Sequence, residues 1–207
     1  MTEEEVATLS RCLAVGGVAI FPTDTVYGVG TEPDSREGLR RLYRLKGRPP
    51  DRPAAVMFFD LDLAFSALPE LGARTREALR RLLPGALTLL LPNPEHRFPL
   101  ACGPHPERVG VRVPALPGGL APLAGLRWPV LQSSANRSGG PDARRLGDVD
   151  ARIRRGVDLE LDGGELLGTS STVLDLTGFE DGGEWSVVRE GAVLREQVED
   201  ALSRPRG

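Results

Sequence analysis

Short blocks of apolar residues, separated by polar turns, run along the chain and predict strands and amphipathic helices. Apolar positions that recur every three or four residues predict helices over 2–15, 36–45, 75–83 and 195–202. Shorter apolar runs predict strands over 18–21, 54–59, 86–91, 109–113, 130–133, 172–176 and 186–189. Because the two kinds of element do not alternate strictly, we expect a single α/β domain with a twisted mixed sheet and flanking helices, not a simple doubly wound sheet.

The composition predicts a loop-rich globular protein. The chain of 207 residues contains 25 glycines and 18 prolines, and 40% of it is hydrophobic, which is too much for a disordered chain. The longest apolar runs, 12–21 and 86–91, are too short to span a bilayer, so we expect no membrane association. The acidic start at Glu3, Glu4 and Glu5 differs from the basic start of a signal peptide, which favours a cytoplasmic protein.

The metal-ligating residue types are scarce. Cys12 and Cys102 are far apart in the chain, and His96 and His105 lie in a proline-rich stretch without helical ligand spacing. This pattern predicts neither a disulfide framework nor a structural metal.

Positive charge is clustered although the net charge is -3. Segment 36–52 holds seven basic residues against two acids, and segment 127–155 holds seven arginines against three acids. Such clusters indicate polyanionic ligands, while solvated helix faces account equally well for many of these arginines. Lys46 is the only lysine among 26 basic residues, and it lies two positions before Arg48. A compact ammonium at that point is suited to a tight phosphate pocket.

Familiar catalytic signatures are missing from the sequence. It contains no G-x-x-x-x-G-K-[ST] loop, no complete dinucleotide fingerprint after Gly28, and no G-x-S-x-G elbow. Four segments rich in small polar or basic side chains remain, at 22–28, 46–49, 133–136 and 168–172. Such side chains often bind only the local backbone, but their convergence on one cleft would make a pocket for a zwitterion and a polyphosphate.

These segments carry a family resemblance. The motifs Pro-Thr-Asp-Thr-Val-Tyr-Gly-Val-Gly at 22–30, Lys-Gly-Arg-Pro at 46–49 and Ser-Ala-Asn-x-Ser-Gly at 134–139 occur in order, with matching stretches around 84–91, 111–114, 171–173 and 189–191. In this, the chain resembles the threonylcarbamoyl-AMP synthase family over about residues 10–193. The resemblance implies one synthase-like domain over 1–207, of the short type without the extra C-terminal domain of longer members, with an open concave active-site face.

The resemblance also implies a function. Members of the family are nucleotidyltransferases that join L-threonine, bicarbonate and ATP into L-threonylcarbamoyladenylate and release pyrophosphate. Mg²⁺ is the expected companion of the ATP. The expected partners are tRNA and the proteins that transfer the threonylcarbamoyl group to the adenosine next to the anticodon, which also makes RNA binding an expectation.

Site residues follow from the motif positions. The resemblance implies that Lys46 and Arg48 are the catalytic cations at the triphosphate. Implied ATP-binding residues are Lys46, Arg48, Arg52, Ser134, Asn136 and Arg189. Implied threonine-binding residues are Thr23, Thr25, Arg112 and Ser171, with Arg112 paired to the carboxylate. The chain departs from the family pattern at Arg52, at Arg108 and at Met57, which puts the individual ligand contacts there in question.

Two other interpretations remain open from the residues. A non-catalytic RNA-binding or ribosome-associated module would use the same basic concave face, although ten aromatic residues are few for a base-stacking surface. A relative acting on other carbamoylated substrates is the third, although such lineages usually occur within longer chains that carry zinc-finger or acylphosphatase-like segments.

Overall fold

The computed structural model describes residues 1–203, so the last four residues of the predicted domain lie outside the described part. Within this range nine strands form one sheet in the order β7-β1-β2-β6-β3-β5-β4-β8-β9. The strands are β1 (Ala19–Phe21), β2 (Gly28–Thr31), β3 (Ala55–Met57), β4 (Leu87–Pro92), β5 (Arg108–Arg112), β6 (Val130–Ser134), β7 (Leu159–Glu160), β8 (Thr172–Asp175) and β9 (Ser186–Arg189).

The sheet is mixed, as the sequence pattern predicts. Strand β1 pairs parallel with β7, β3 with β5, and β4 with β8, while the other neighbours pair antiparallel. Helices pack around the sheet, and one continuous cluster of buried apolar side chains joins them to the strands. The helices are α1 (Glu3–Ala14), α2 (Arg36–Lys46), α3 (Leu61–Ala67), α4 (Ala73–Leu82), α5 (Pro99–Cys102), α6 (Ala151–Gly156), α7 (Phe179–Gly182) and α8 (Arg195–Ser203).

Helix α2 is positioned by signals at both of its ends. The Ser35 side chain accepts a hydrogen bond from the Gly38 amide at the start of the helix. Gly47 ends the helix with φ +61°, a left-handed conformation that costs least at glycine. Leu42 is buried on the inner face, while Arg36 and Arg40 are exposed. The helix therefore delivers Lys46 and Arg48 at a defined point beside the sheet.

The sequence pattern missed strand β2 and several short elements. The sequence pattern predicts no strand over 28–31, because Gly28 and Gly30 give no apolar alternation. The strand nevertheless forms between β1 and β6, where a Cβ atom at Gly30 would lie 2.6 Å from Val130 Cγ1. Tertiary packing thus overrides local propensity at this strand. Helices α3, α5, α6 and α7 and strand β7 were also missed, since their two to seven residues are too few for a periodic signal.

No helix within residues 1–203 is long and apolar enough to cross a membrane. Over the same residues, no group of three or more histidine, cysteine, aspartate and glutamate side chains is arranged to hold a metal ion.

Gly38 marks the closest contact between α2 and the sheet. A Cβ atom there would lie 2.1 Å from Thr31 Oγ1 and 3.0 Å from the Gly16 carbonyl oxygen. We predict that Gly38→Ala lowers the free energy of unfolding by about 1–3 kcal/mol, because overpacking outweighs the higher helix propensity of alanine. Urea denaturation measures the change. Gly125→Ala is the control, since no atom lies within 4 Å of its Cβ position, and it should change stability by less than about 0.5 kcal/mol. Equal stabilities for the two variants would contradict the prediction.

Candidate active site

One face of the sheet carries an open cavity that spans seven neighbouring strands, from β2 to β9 in sheet order. Its wall contains three arginines and several hydroxyl groups, and no carboxylate within the described residues. The polar and basic lining residues are Tyr27, Arg48, Thr88, Arg112, Gln132, Ser133, Ser134, Ser170, Ser171 and Arg189.

The floor of the cavity is made of small residues in register. Ala55 on β3 lies opposite Gln132 of β6, and Gly110 on β5 lies opposite Ala55; Gly28 on β2 also lines the cavity. Since these neighbours have no side chain beyond Cβ, a ligand is able to approach the strand backbone.

Arg112 is held by a buried ion pair on one side of the cavity. Its Nη2 donates to Asp24 Oδ1 at 2.7 Å and to Thr25 Oγ1 at 3.1 Å. Asp24 Oδ2 accepts a further hydrogen bond from the Ala115 amide at 3.1 Å. The Arg112 side chain is 5% exposed, and its Nε has no partner among residues 1–203. The pair fixes the guanidinium while leaving donor capacity for a ligand.

Burial determines the electrostatics of this pair. It raises the pKa of Asp24 above its usual range, although Arg112 and the Ala115 amide oppose the shift. Burial also lowers the pKa of Arg112, against the stabilising effect of Asp24. Each charge thus depends on the other, as expected for an ion pair removed from water.

Thr23 and Thr25 stand behind Arg112 and are not part of the cavity wall. The Thr23 hydroxyl donates to the Val26 carbonyl oxygen at 2.7 Å, and Thr25 Oγ1 is 0% exposed as part of a fully buried side chain. Both threonines therefore shape the 22–27 loop and support Arg112. That either hydroxyl contacts the substrate L-threonine stays a prediction.

Lys46 is buried beside the other side of the cavity, with 1% exposure, and does not line the wall. Its Nζ donates to the carbonyl oxygens of Ser134 and Asn136 and to Asn136 Oδ1. The three N–H groups of the ammonium are therefore used within the protein. In the structure the ammonium binds the loop that follows β6, and its catalytic role at the triphosphate stays a prediction.

The surroundings of Lys46 disfavour the positive charge of its ammonium group. Burial first, and the positive charge of Arg48 second, lower the pKa of Lys46 to about 7, while Asp142 opposes the shift.

Arg48 is the cation that faces the cavity from this side. Its Nη1 lies 3.5 Å from Ser133 Oγ, and its Nη2 donates to the Pro53 carbonyl oxygen. The guanidinium carbon lies 5.6 Å from the centre of the Tyr43 ring, within cation–π range. Nε is buried without a partner among the described residues. Ser134 also lines the cavity, and its hydroxyl donates to Asn136 Oδ1 at 2.7 Å.

Ser171 and Arg189 form the far wall together. Arg189 Nη2 donates to the Ser171 carbonyl oxygen at 2.7 Å, and the Ser171 hydroxyl lies 2.8 Å from that of Thr88. Arg189 is exposed at the rim, whereas Ser171 is buried in the cavity.

Of the predicted site residues, five line the cavity: Arg48, Arg112, Ser134, Ser171 and Arg189. Arg52 is exposed on the surface and does not line it, and Asn136 lies behind Ser134. Among the departures from the family pattern, Met57 is buried opposite Arg112 in the parallel pairing of β3 and β5, and neither it nor Arg108 lines the wall.

Sequence reasoning missed Asp24, Thr88 and Gln132. Asp24 lies inside a quoted motif, so a buried partner for the arginine on β5 was a possible inference. Gln132 belongs to a predicted strand, where period-two alternation places it on the same face as Ser134.

The lowered pKa of Lys46 can be measured directly, because Lys46 is the only lysine in the chain. Protein labelled with ¹³C at lysine Cε should give one side-chain signal in NMR, with a titration midpoint at about 7. In urea the same signal should titrate near the unperturbed value of about 10.4. A native midpoint close to the denatured one would show that burial does not penalise the charge.

The chain is similar in sequence and in structure to proteins of a known family. The model of the family named for Sua5, YciO and YrdC, with the description "Telomere recombination", matches residues 11–191. The threonylcarbamoyl-AMP synthase of Bacillus subtilis is 31% identical over 206 residues, which are 97% of this chain and 57% of the relative. That of Chromohalobacter salexigens is 35% identical over 162 residues, 78% of this chain and 86% of the relative.

A crystal structure of P. abyssi Sua5 complexed with L-threonine superimposes with a TM-score of 0.85 at 28% identity. The match covers 98% of this chain and 58% of the P. abyssi chain. This chain therefore spans little more than half the length of that protein, and the same holds for the Bacillus relative. The predicted mixed α/β fold agrees with that superposition. Since the family model covers most of the residues that build the sheet and the cavity, the chain belongs to the Sua5/YciO/YrdC family.

Proposed function

We propose that the cavity synthesises L-threonylcarbamoyladenylate from L-threonine, bicarbonate and ATP, which makes the protein a nucleotidyltransferase. The observation that carries this proposal is the placement of three arginines from separate segments, Arg48, Arg112 and Arg189, on one cavity wall. Two anionic substrates must meet for the reaction, and fixed cations offset their repulsion.

Threonine is assigned to the side of the cavity that holds Arg112. The guanidinium is fixed by Asp24 and retains donors for the substrate carboxylate. Ser171 and Thr88 offer hydroxyl groups on the neighbouring strands, at hydrogen-bond distance from each other. The threonine in the P. abyssi Sua5 complex supports an amino acid in this cavity.

ATP is assigned to the side that holds Arg48, Ser133 and Ser134. Lys46 acts there from behind, since its hydrogen bonds hold the carbonyl groups of Ser134 and Asn136. Arg189, exposed at the opposite rim, is the second cation within reach of a phosphate chain. The hydrogen bond to Ser171 uses only Nη2 of the exposed Arg189 side chain, so its other N–H groups remain available to a ligand.

The reaction divides into two steps. Bicarbonate takes up a proton and loses water to give CO₂, and the neutral threonine amine forms a C–N bond to it and releases a proton, which yields a carbamate. A carbamate oxygen then bonds to the α-phosphorus, and the bond from that phosphorus to the departing pyrophosphate breaks. Arg48 would stabilise the charge that develops on the pyrophosphate. Since the wall holds no carboxylate among the described residues, proton release to solvent is the assigned route.

Mg²⁺ belongs to this proposal only as the companion of the ATP substrate. Magnesium prefers carboxylate, phosphate and water oxygens, and the cavity wall offers no carboxylate within residues 1–203. The described cavity lining therefore supplies no carboxylate ligand, and the ion would be held by the phosphates of ATP. We further propose that the adenylate passes to proteins that transfer the threonylcarbamoyl group to tRNA.

Pyrophosphate release tests the function directly. Purified protein with Mg²⁺ and ATP should release pyrophosphate only when L-threonine and bicarbonate are both present, in a 1:1 ratio with the adenylate measured by chromatography. No release, together with an RNA affinity that falls steeply with salt, would favour the non-catalytic RNA-binding alternative instead.

Asp24 should control threonine affinity through Arg112. We predict that Asp24→Asn raises the KM for threonine by roughly 10- to 100-fold, because a charge-assisted hydrogen bond is replaced by a weaker neutral one. The KM for ATP should stay within about twofold, since Arg48 lies on the other side. Steady-state kinetics measure both values, and circular dichroism verifies folding.

Asp34→Asn is the matched control, because Asp34 is exposed and its side chain forms no hydrogen bond within the described range. It should leave both KM values unchanged. Equal increases in the two KM values for Asp24→Asn would contradict a role confined to Arg112.

A further inference from the structure

Gln132 is a polar side chain of the cavity that the motifs do not assign. It lies on β6, near the centre of the sheet, and is 4% exposed. Its register neighbours on both sides, Gly30 and Ala55, have no side chain beyond Cβ. Gln132 is therefore the polar side chain among these three paired positions.

The side-chain amide of Gln132 forms no hydrogen bond within residues 1–203, although the residue is more than nine-tenths buried. It lines the cavity, so its donors and acceptor face the space where a ligand would lie. The amide is open to water in the cavity, and a ligand that displaces this water has to replace its hydrogen bonds. A bound ligand would complete its hydrogen bonds.

The position of the amide indicates the part of the substrate that it meets. Gln132 Oε1 lies 3.5 Å from the place of a Cβ atom at Gly28, beside the end of the 22–27 loop that holds Arg112. On its own strand it lies next to Ser133, which contacts Arg48. Gln132 thus lines the same cavity as Arg112, the cation assigned to the amino acid, and Arg48, the cation assigned to the nucleotide.

We propose that Gln132 determines specificity by binding the carbamate group at the junction of the two substrates. This inference rests on the proposed function. A carbamate presents an N–H donor and an oxygen acceptor on the same side, and a primary amide presents the complementary acceptor and donor. A free ammonium offers only donors and a phosphate chain offers only acceptors, so neither satisfies both halves of the amide.

The main rival is the adenine base, whose edge also places a donor beside an acceptor. The surroundings favour the carbamate, because Arg48, Arg112 and Arg189 all line the same cavity and attract an anionic centre. Adenine recognition would instead raise the KM for ATP in a Gln132 variant.

Gln132→Glu and Gln132→Ala test the inference by different changes at one position. Glutamate keeps the size but adds a negative charge that repels the carbamate, and alanine removes the amide. We expect kcat/KM for bicarbonate to fall roughly 100-fold in Gln132→Glu and about 10-fold in Gln132→Ala. Calorimetric affinity for threonine without bicarbonate should not weaken in either variant, because the amide is assigned to the carbamate alone.

Gln197→Glu is the matched control, since Gln197 lies exposed on α8 and should leave all constants unchanged. Thermal denaturation verifies that the variants fold, and Gln132→Ala carries the test if the glutamate variant does not. The proposal is overturned if kcat/KM for bicarbonate is unchanged, or if the KM for ATP is the constant that rises. If the wild-type protein releases no pyrophosphate, the proposed function fails as well; normal wild-type activity with unaffected variants removes this inference alone.

Discussion

A buried ammonium organises one half of the cavity. Lys46 ends helix α2, and its hydrogen bonds to the carbonyl groups of Ser134 and Asn136 join that helix to a loop almost ninety positions later in the chain. An ammonium without such acceptors would be too costly to bury, so the helix end, the loop and the end of β6 depend on one another. Arg48, two residues beyond, inherits this fixed position and faces the cavity.

The opposite half follows the same principle with an ion pair. Asp24 on the loop after β1 and Arg112 at the end of β5 fix each other, and the Ala115 amide completes the carboxylate. The cations of both halves are therefore oriented before any substrate arrives. Preorganised donors of this kind stabilise developing charge without the reorganisation that water requires. Glycine and alanine on the floor between them keep the space open.

Local pattern predicted the long helices and the buried strands, because their apolar periodicity spans several turns or residues. It missed β2, where two glycines carry no pattern and pairing with β1 and β6 decides the conformation. The ordered motifs predicted that Arg48, Arg112 and Ser171 belong to one site, and all three line the cavity. It gave no means to see that Lys46 and Thr25 turn inward, because that direction depends on partners distant in sequence. Gln132 was hidden within a strand whose neighbours suggested only burial.

The Arg112 side of the cavity is the proposed binding site for L-threonine. Calorimetric titration with L-threonine, compared with L-serine and L-valine in the presence and absence of ATP, tests it most directly. We expect binding that favours threonine over both analogues, because a buried site rejects ligands that lack a methyl or a hydroxyl group that it contacts. Binding that favours none of the three would contradict the account.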